Sequence, residues 1–210
     1  MKRLFLLSVL CCLFSLTASA QSQSQSTGIN NGHQWVDLGL SVKWAKCNIG
    51  ASTSSDYGTY FAWGETAPKS SYTEDNSMTK HKQLADLSGD KKYDAARANW
   101  GGEWRIPTVD ECLELIEKCT WTWTTQDGHV GYKVTSLANG ESIFLPAAGC
   151  HDGDALYDDG VCGQYWCSTP EYFDDYTFSL AGAICFASDD KGTYLCARFT
   201  GFTIRPVFND

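Results

Sequence analysis

Apolar positions change period once along this chain. Between residues 109 and 119, Val109, Cys112, Leu113, Ile116 and Cys119 fall on one helical face. Thr108 and Glu111 ahead of them form T-x-x-E, a capping box in which hydroxyl and carboxylate each take a backbone N–H. Pro107 holds the residue before it extended, and Asp110, Glu111 and Lys118 sit where the helix dipole favours their charges. The spacing predicts a helix that begins at Val109. From Thr120 the period drops to two, the signature of strands.

In the second regime "TWTWTT" sets Trp121 and Trp123 on one face. "GYKVTS" and "SIFLPAAG" flank Ala138-Asn139-Gly140, and Asn-Gly is a strong hairpin signal. Alternation continues through 176–188, 193–199 and 201–207. Ahead of the helix, 35–47 predicts two short strands about Gly39, and 59–65 an extended aromatic segment. The polar stretch 66–98 predicts a surface excursion with a short helix at "KKYDAARA". A helix or two followed by a run of strands gives the α+β class.

The first residues change the picture of where this fold begins. Lys2 and Arg3, an apolar run from Leu4 to Leu16 and the small residues "ASA" predict a secretory signal peptide over 1–20. Residues 21–33 are polar and repetitive and read as a linker, leaving 34–210 as one domain. The chain is then exported, to the periplasm, the cell surface or the medium. No later segment predicts membrane insertion. Net charge is −9, and loss of Lys2 and Arg3 takes it to −11. So acidic a chain repels nucleic acid. Eight Trp, ten Tyr and ten Phe are enough to fill a sizeable core.

Two of the ten cysteines fall in the signal segment, and the other eight permit disulfides in an exported chain. Zinc-ligand spacing is absent. Register suggests one bond. With Asp190-Lys191 as the loop, Phe186 faces Leu195 and Ile184 faces Ala197, and the same register sets Cys185 opposite Cys196. A Cys185–Cys196 cross-strand disulfide is therefore expected.

Seven segments in order, "WVDLGLSVKWAKCNIGAS", "YFAWGET", "NWGGEWRIPT" with "DE" after one residue, "CTWTWTTQDG", "SIFLPAAG", "YWCST" and "GFTIRPV", resemble the Fibrobacter succinogenes major paralogous domain family. The resemblance runs from Trp35 to Val207. It implies a C-type-lectin-like fold, distantly related to the formylglycine-generating enzymes, with paired N- and C-terminal strands, a capped helix and a twisted antiparallel sheet. It implies an exported protein of a Gram-negative anaerobe but no established reaction. Some members resemble the variable proteins of diversity-generating retroelements; the diversified segment would here span about Gln164 to Phe199.

Residues 150–190 carry nine carboxylates and no Lys or Arg, interleaved with aromatics. Aromatic rings beside carboxylates suit a glycan or protein ligand. The expected ligand-binding residues are Tyr157, Tyr165, Trp166, Asp174, Asp175 and Tyr176. No cofactor is expected; calcium is the one cation that such oxygen-rich loops would take, and the E-P-N, Q-P-D and W-N-D motifs of calcium-dependent lectins are absent. Two alternatives stand beside a binding module. One is a structural role in a surface assembly. The other is a copper-thiol oxidase, because Cys162 and Cys167 have the spacing of the copper-binding thiols of formylglycine-generating enzymes, although the Gly- and Arg-rich flanks of that motif are missing. G-x-S-x-G, H-E-x-x-H and Walker patterns do not occur, so no catalytic residue is assigned.

Overall fold

A computed structural model describes residues 25–171 and 180–209. The expected signal segment lies outside them, as do residues 21–24 of the expected linker. The chain runs β1 (Thr27–Asn30), β2 (His33–Val36), β3 (Lys43–Ala45), α1 (Ala95–Trp100), α2 (Val109–Glu117), β4 (Cys119–Gln126) and β5 (His129–Ser136). It continues through β6 (Ser142–Pro146), β7 (Cys150–Asp152), β8 (Ala155–Tyr157), β9 (Gly163–Pro170), β10 (Leu180–Phe186), β11 (Lys191–Ala197) and β12 (Val207–Phe208). The strands form antiparallel sheets ordered β1-β2-β3-β12, β4-β5-β6, β7-β8 and β11-β10-β9. With two α-helices among the described residues, the fold is α+β and dominated by strands.

Part of the expected linker is structured. Thr27–Asn30 pairs with His33–Val36 through a turn in which Asn31 and Gly32 both take positive φ, 44° and 84°. That two-residue turn fixes a hairpin, and β1 becomes an outer strand. At the opposite end β12 pairs antiparallel with β3, Val207 opposite Trp44. Segment 59–65 contributes a single bridge, Phe61 to Phe202, and is otherwise irregular.

Helix α2 starts where its signals place it. Thr108 accepts from Glu111 N, and the Glu111 carboxylate accepts from Thr108 N at 2.9 Å. The same carboxylate takes both terminal nitrogens of Arg105, at 2.6 and 2.8 Å. The buried positions are Cys112 and Leu115, whereas Leu113 and Ile116 are half-buried. Helix α1 begins later than expected, because Asp94 caps it by accepting from Ala96 N and Arg97 N. The Trp/Gly run before α2 does structural work. Trp104 is fully buried, and its indole N–H donates to Asn30 O at 2.9 Å, tying the helix approach to β1.

The β9–β10 pair separates two apolar clusters. Tyr165, Cys167, Ile184 and Phe186 face one that holds Cys112, Leu115, Leu145 and Val207. Trp166, Ala181 and Ala183 face another that holds Phe61, Trp63, Phe202 and Ile204. A strand covered on both sides buries consecutive residues. Arg205, itself buried, crosses between elements, donating to Asn48 Oδ1 at 2.8 Å and Phe144 O at 2.9 Å.

Candidate functional site: a groove on the β9–β11 sheet

Tyr165 and Trp166 are core residues, 3% and 1% exposed, and this corrects their expected role as ligand anchors. Tyr165 donates to Pro146 O at 2.7 Å, and burial pushes its phenol up to about 12. Trp166 stacks on Phe202 at 4.3 Å and donates its indole N–H to Phe61 O at 2.8 Å. Both polar tips are satisfied inside the protein. Tyr157 is 52% exposed, on β8. Asp174, Asp175 and Tyr176 lie outside the described residues.

The expected register of β10 and β11 is also corrected. Cys185 pairs with Gly192 and Cys196 with Ala181, while Ile184 faces Thr193. The hairpin turns over Ala187–Asp190, closed by Ala187 N to Asp190 O at 2.9 Å, so Lys191 belongs to the strand. Apolar-to-apolar matching misleads here because β11 is an outer strand with an open edge, and its side chains need no buried partner. The structure shows the eight cysteines of the described residues in the reduced state. In this register Cys185 and Cys196 are not cross-strand partners, so the pairing expected for their disulfide is absent.

Beside the β10–β11 turn lies a groove of about 380 Å³, lined by Cys162, Gln164, Cys185, Phe186, Asp190, Tyr194, Leu195 and Cys196 among others. Tyr194 and Leu195 form exposed parts of its wall, 44% and 42% accessible. The Tyr194 hydroxyl donates to Asp190 Oδ2 at 2.6 Å, which fixes the ring and raises the phenol above its ordinary range. Gln164 Oε1 is buried and accepts no hydrogen bond from the described residues. The hydrogen bond between Cys185 and Cys196 holds the Cys196 thiol below its ordinary range and raises that of Cys185. Burial also raises the Cys162 thiol.

This groove combines an oriented ring, a carboxylate, an unpaired amide oxygen and thiols. The alternation-based reading missed Tyr194 and Leu195 because it turned the apolar side of β11 inward. The signal that could have found them is the position of "TYLCARF" as the last strand of a hairpin, with a polar turn before it.

A larger cavity of about 630 Å³ lies beside the N-terminal hairpin, against Gly28, Trp35, Lys46 and Glu141. It gathers no titratable cluster beyond that single Lys and Glu. Cys162 and Cys167 are separated by five residues of largely extended chain, about 16 Å, so they cannot share one ion. Cys167 instead lies against Cys112. Among the described residues no group of three or more His, Cys, Asp or Glu side chains is placed to hold a metal. No helix among them is long and apolar enough to cross a membrane.

No protein-family model, curated protein or solved structure matches this chain. Function must therefore be argued from the groove itself.

Proposed function

We propose that the chain is an exported, lectin-like or adhesin-like binding protein that holds a glycan in the β9–β11 groove and does not transform it. The observation that carries this reading is the Tyr194–Asp190 pair. An exposed ring clamped by a carboxylate offers a sugar both a stacking face and a hydroxyl acceptor. Leu195 extends the apolar wall.

The resemblance noted in the sequence supports the same reading. A C-type-lectin-like fold would have the β3–β12 pairing of its terminal segments, the capped helix α2 and the antiparallel sheets described above. The segment that such a resemblance marks as ligand-contacting, 164–199, includes the groove strands. Export accords with the signal segment that the sequence predicts and with the acidic balance of the chain.

A glycan array probed with wild type, Tyr194→Ala and Asp190→Asn tests the proposal. The expected result is one class of retained glycan, with at least about a tenfold loss of signal for each variant. No retained glycan, or equal retention by all three proteins, would contradict it.

A further inference from the structure

Cys112 of α2 and Cys167 of β9 lie 55 residues apart in sequence, yet their sulfurs approach to 3.0 Å. That is inside the roughly 3.5–4.0 Å optimum for non-bonded heavy atoms. In the reduced state Cys167 donates to the Cys112 sulfur across this gap, so the two sulfurs are already in contact. Both residues are buried, 1% and 0% exposed.

The approach is built into the backbone. At Gly182 of β10 an added Cβ would come within 2.4 Å of Val109 Cγ2 and 3.7 Å of Cys167 Cβ. Glycine at this point lets the first turn of α2 sit directly on the sheet beside Cys167. The backbone of the same region is also tied, Ser168 N donating to Pro107 O at 2.8 Å and Val109 N to Thr169 Oγ1 at 3.2 Å. Helix and strand are thus fixed on both sides of the sulfur pair.

We infer that Cys112 and Cys167 are joined by a disulfide in the oxidised protein, a covalent staple between α2 and the strand beneath the groove. The choice of partners rests on the sulfur contact and on the backbone ties that hold α2 against β9. The bond's persistence in the cell rests on the export reading, since such bonds last in oxidising compartments.

The bond forms during folding, before the pair is sealed. One cysteine, as thiolate, attacks a sulfur of a small disulfide donor R–S–S–R and expels RS⁻, leaving a mixed disulfide. The second cysteine gives its proton to the expelled RS⁻ and attacks the first cysteine's sulfur. A second RS⁻ leaves and takes a proton from water. The protein dithiol is oxidised, and the donor is reduced to two RSH. If the chain folds with the pair still reduced, burial and the neighbouring sulfur hold the Cys112 thiol well above its ordinary range and slow later oxidation; once formed, the buried bond is shielded from attacking thiolates.

The test is oxidative refolding of the reduced chain from Gln21 onward in a buffer of reduced and oxidised glutathione. Alkylation under denaturing conditions and peptide mapping without reductant follow. The expected product is a linked Cys112–Cys167 peptide pair at least about tenfold more abundant than any other linked pair. Its Tm should fall by about 10 °C on reduction, and a Cys112→Ala/Cys167→Ala variant should show no such reductant-dependent fall. Recovery of both cysteines as alkylated free thiols, or of either linked elsewhere, overturns the inference. A double variant that loses as much Tm on reduction as wild type also overturns it. The wild-type peptide map decides the matter even if the double variant does not fold. Refolding in vitro takes no account of cellular address, so a failure here is separate from a failure of the export reading.

Discussion

Strands β9 and β11 flank the same central strand, β10, and have opposite fates. β9 is sealed: α2 lies over Cys167 on one face, Phe61 and Phe202 lie over Trp166 on the other, and Thr203 bridges to Tyr165 along its free side. Among the described residues no strand lies beside the outer edge of β11, and Tyr194 and Leu195 are open to solvent. Both strands carry aromatic and apolar side chains. What separates the buried rings of β9 from the exposed ring of β11 is how completely the neighbouring elements cover each strand, and local composition does not report that.

Substitutions can break this contrast, and the largest effect is expected at Trp166. Trp166→Ala removes a buried ring and its hydrogen bond and should cost about 3–5 kcal/mol in chemical denaturation. Tyr194→Ala should stay within about 0.5 kcal/mol of wild type. Similar losses for the two variants would show that the strands are not differently covered.

Alkaline pH should sharpen the same contrast. The Tyr165 phenol, buried, is pushed up to about 12, against an ordinary value of about 10. Between those values the unfolded state has lost a proton that the folded state keeps, so stability falls as pH rises. The Tyr165 contribution should reach roughly 2–3 kcal/mol near the top of that window. Tyr165→Phe should abolish that part of the slope, though it also removes the hydrogen bond to Pro146. On β11, Asp190→Asn should return Tyr194 to the ordinary phenol range in an ultraviolet titration and leave the Tyr165 transition in place. If Tyr165 titrates with the exposed tyrosines, it is not sealed.

The smallest effects come from a pair of glycines. An added Cβ at Gly163 on β9 would come within 2.0 Å of the Phe186 ring, and Gly163→Ala should cost about 1–3 kcal/mol. At Gly192 on β11 the nearest atom is 3.1 Å away, at the edge of the solvent-exposed Tyr194 ring, where a small shift relieves the contact without breaking the bond to Asp190. Gly192→Ala should change stability by less than about 0.5 kcal/mol. Thermal or denaturant melts of the two variants measure the difference directly.

Legibility in the sequence followed the range of the interactions. Helix α2 was readable because its cap, its first-turn acids and its apolar face lie within a few residues of each other. The β5–β6 hairpin was readable from its Asn-Gly turn, and Gly140 does take φ 77° there. Tyr165 and Trp166 were misread because adjacent buried residues signal a two-sided interior strand, and the acidic loops around them made the segment look exposed. The β10–β11 register was missed because it assumed an inward apolar face for a strand that is half outside. β1 was missed because "TGIN" has little apolar content, and its pairing comes from the Asn31-Gly32 turn and the Trp35 ring packed against Gly28. The closeness of Cys112 and Cys167 depends on helix-on-sheet contact at Gly182, which no local pattern encodes.

The claim that β11 and its groove form the working face is tested most directly by hydroxyl-radical footprinting of the folded protein, with and without the glycan that an array selects. Tyr194 and Leu195 should be labelled in the free protein and protected when the glycan is added, while Tyr165 and Trp166 remain unlabelled in both states. Labelling of Trp166 in the free protein, or glycan protection confined to Tyr157 with Tyr194 unchanged, would contradict the account.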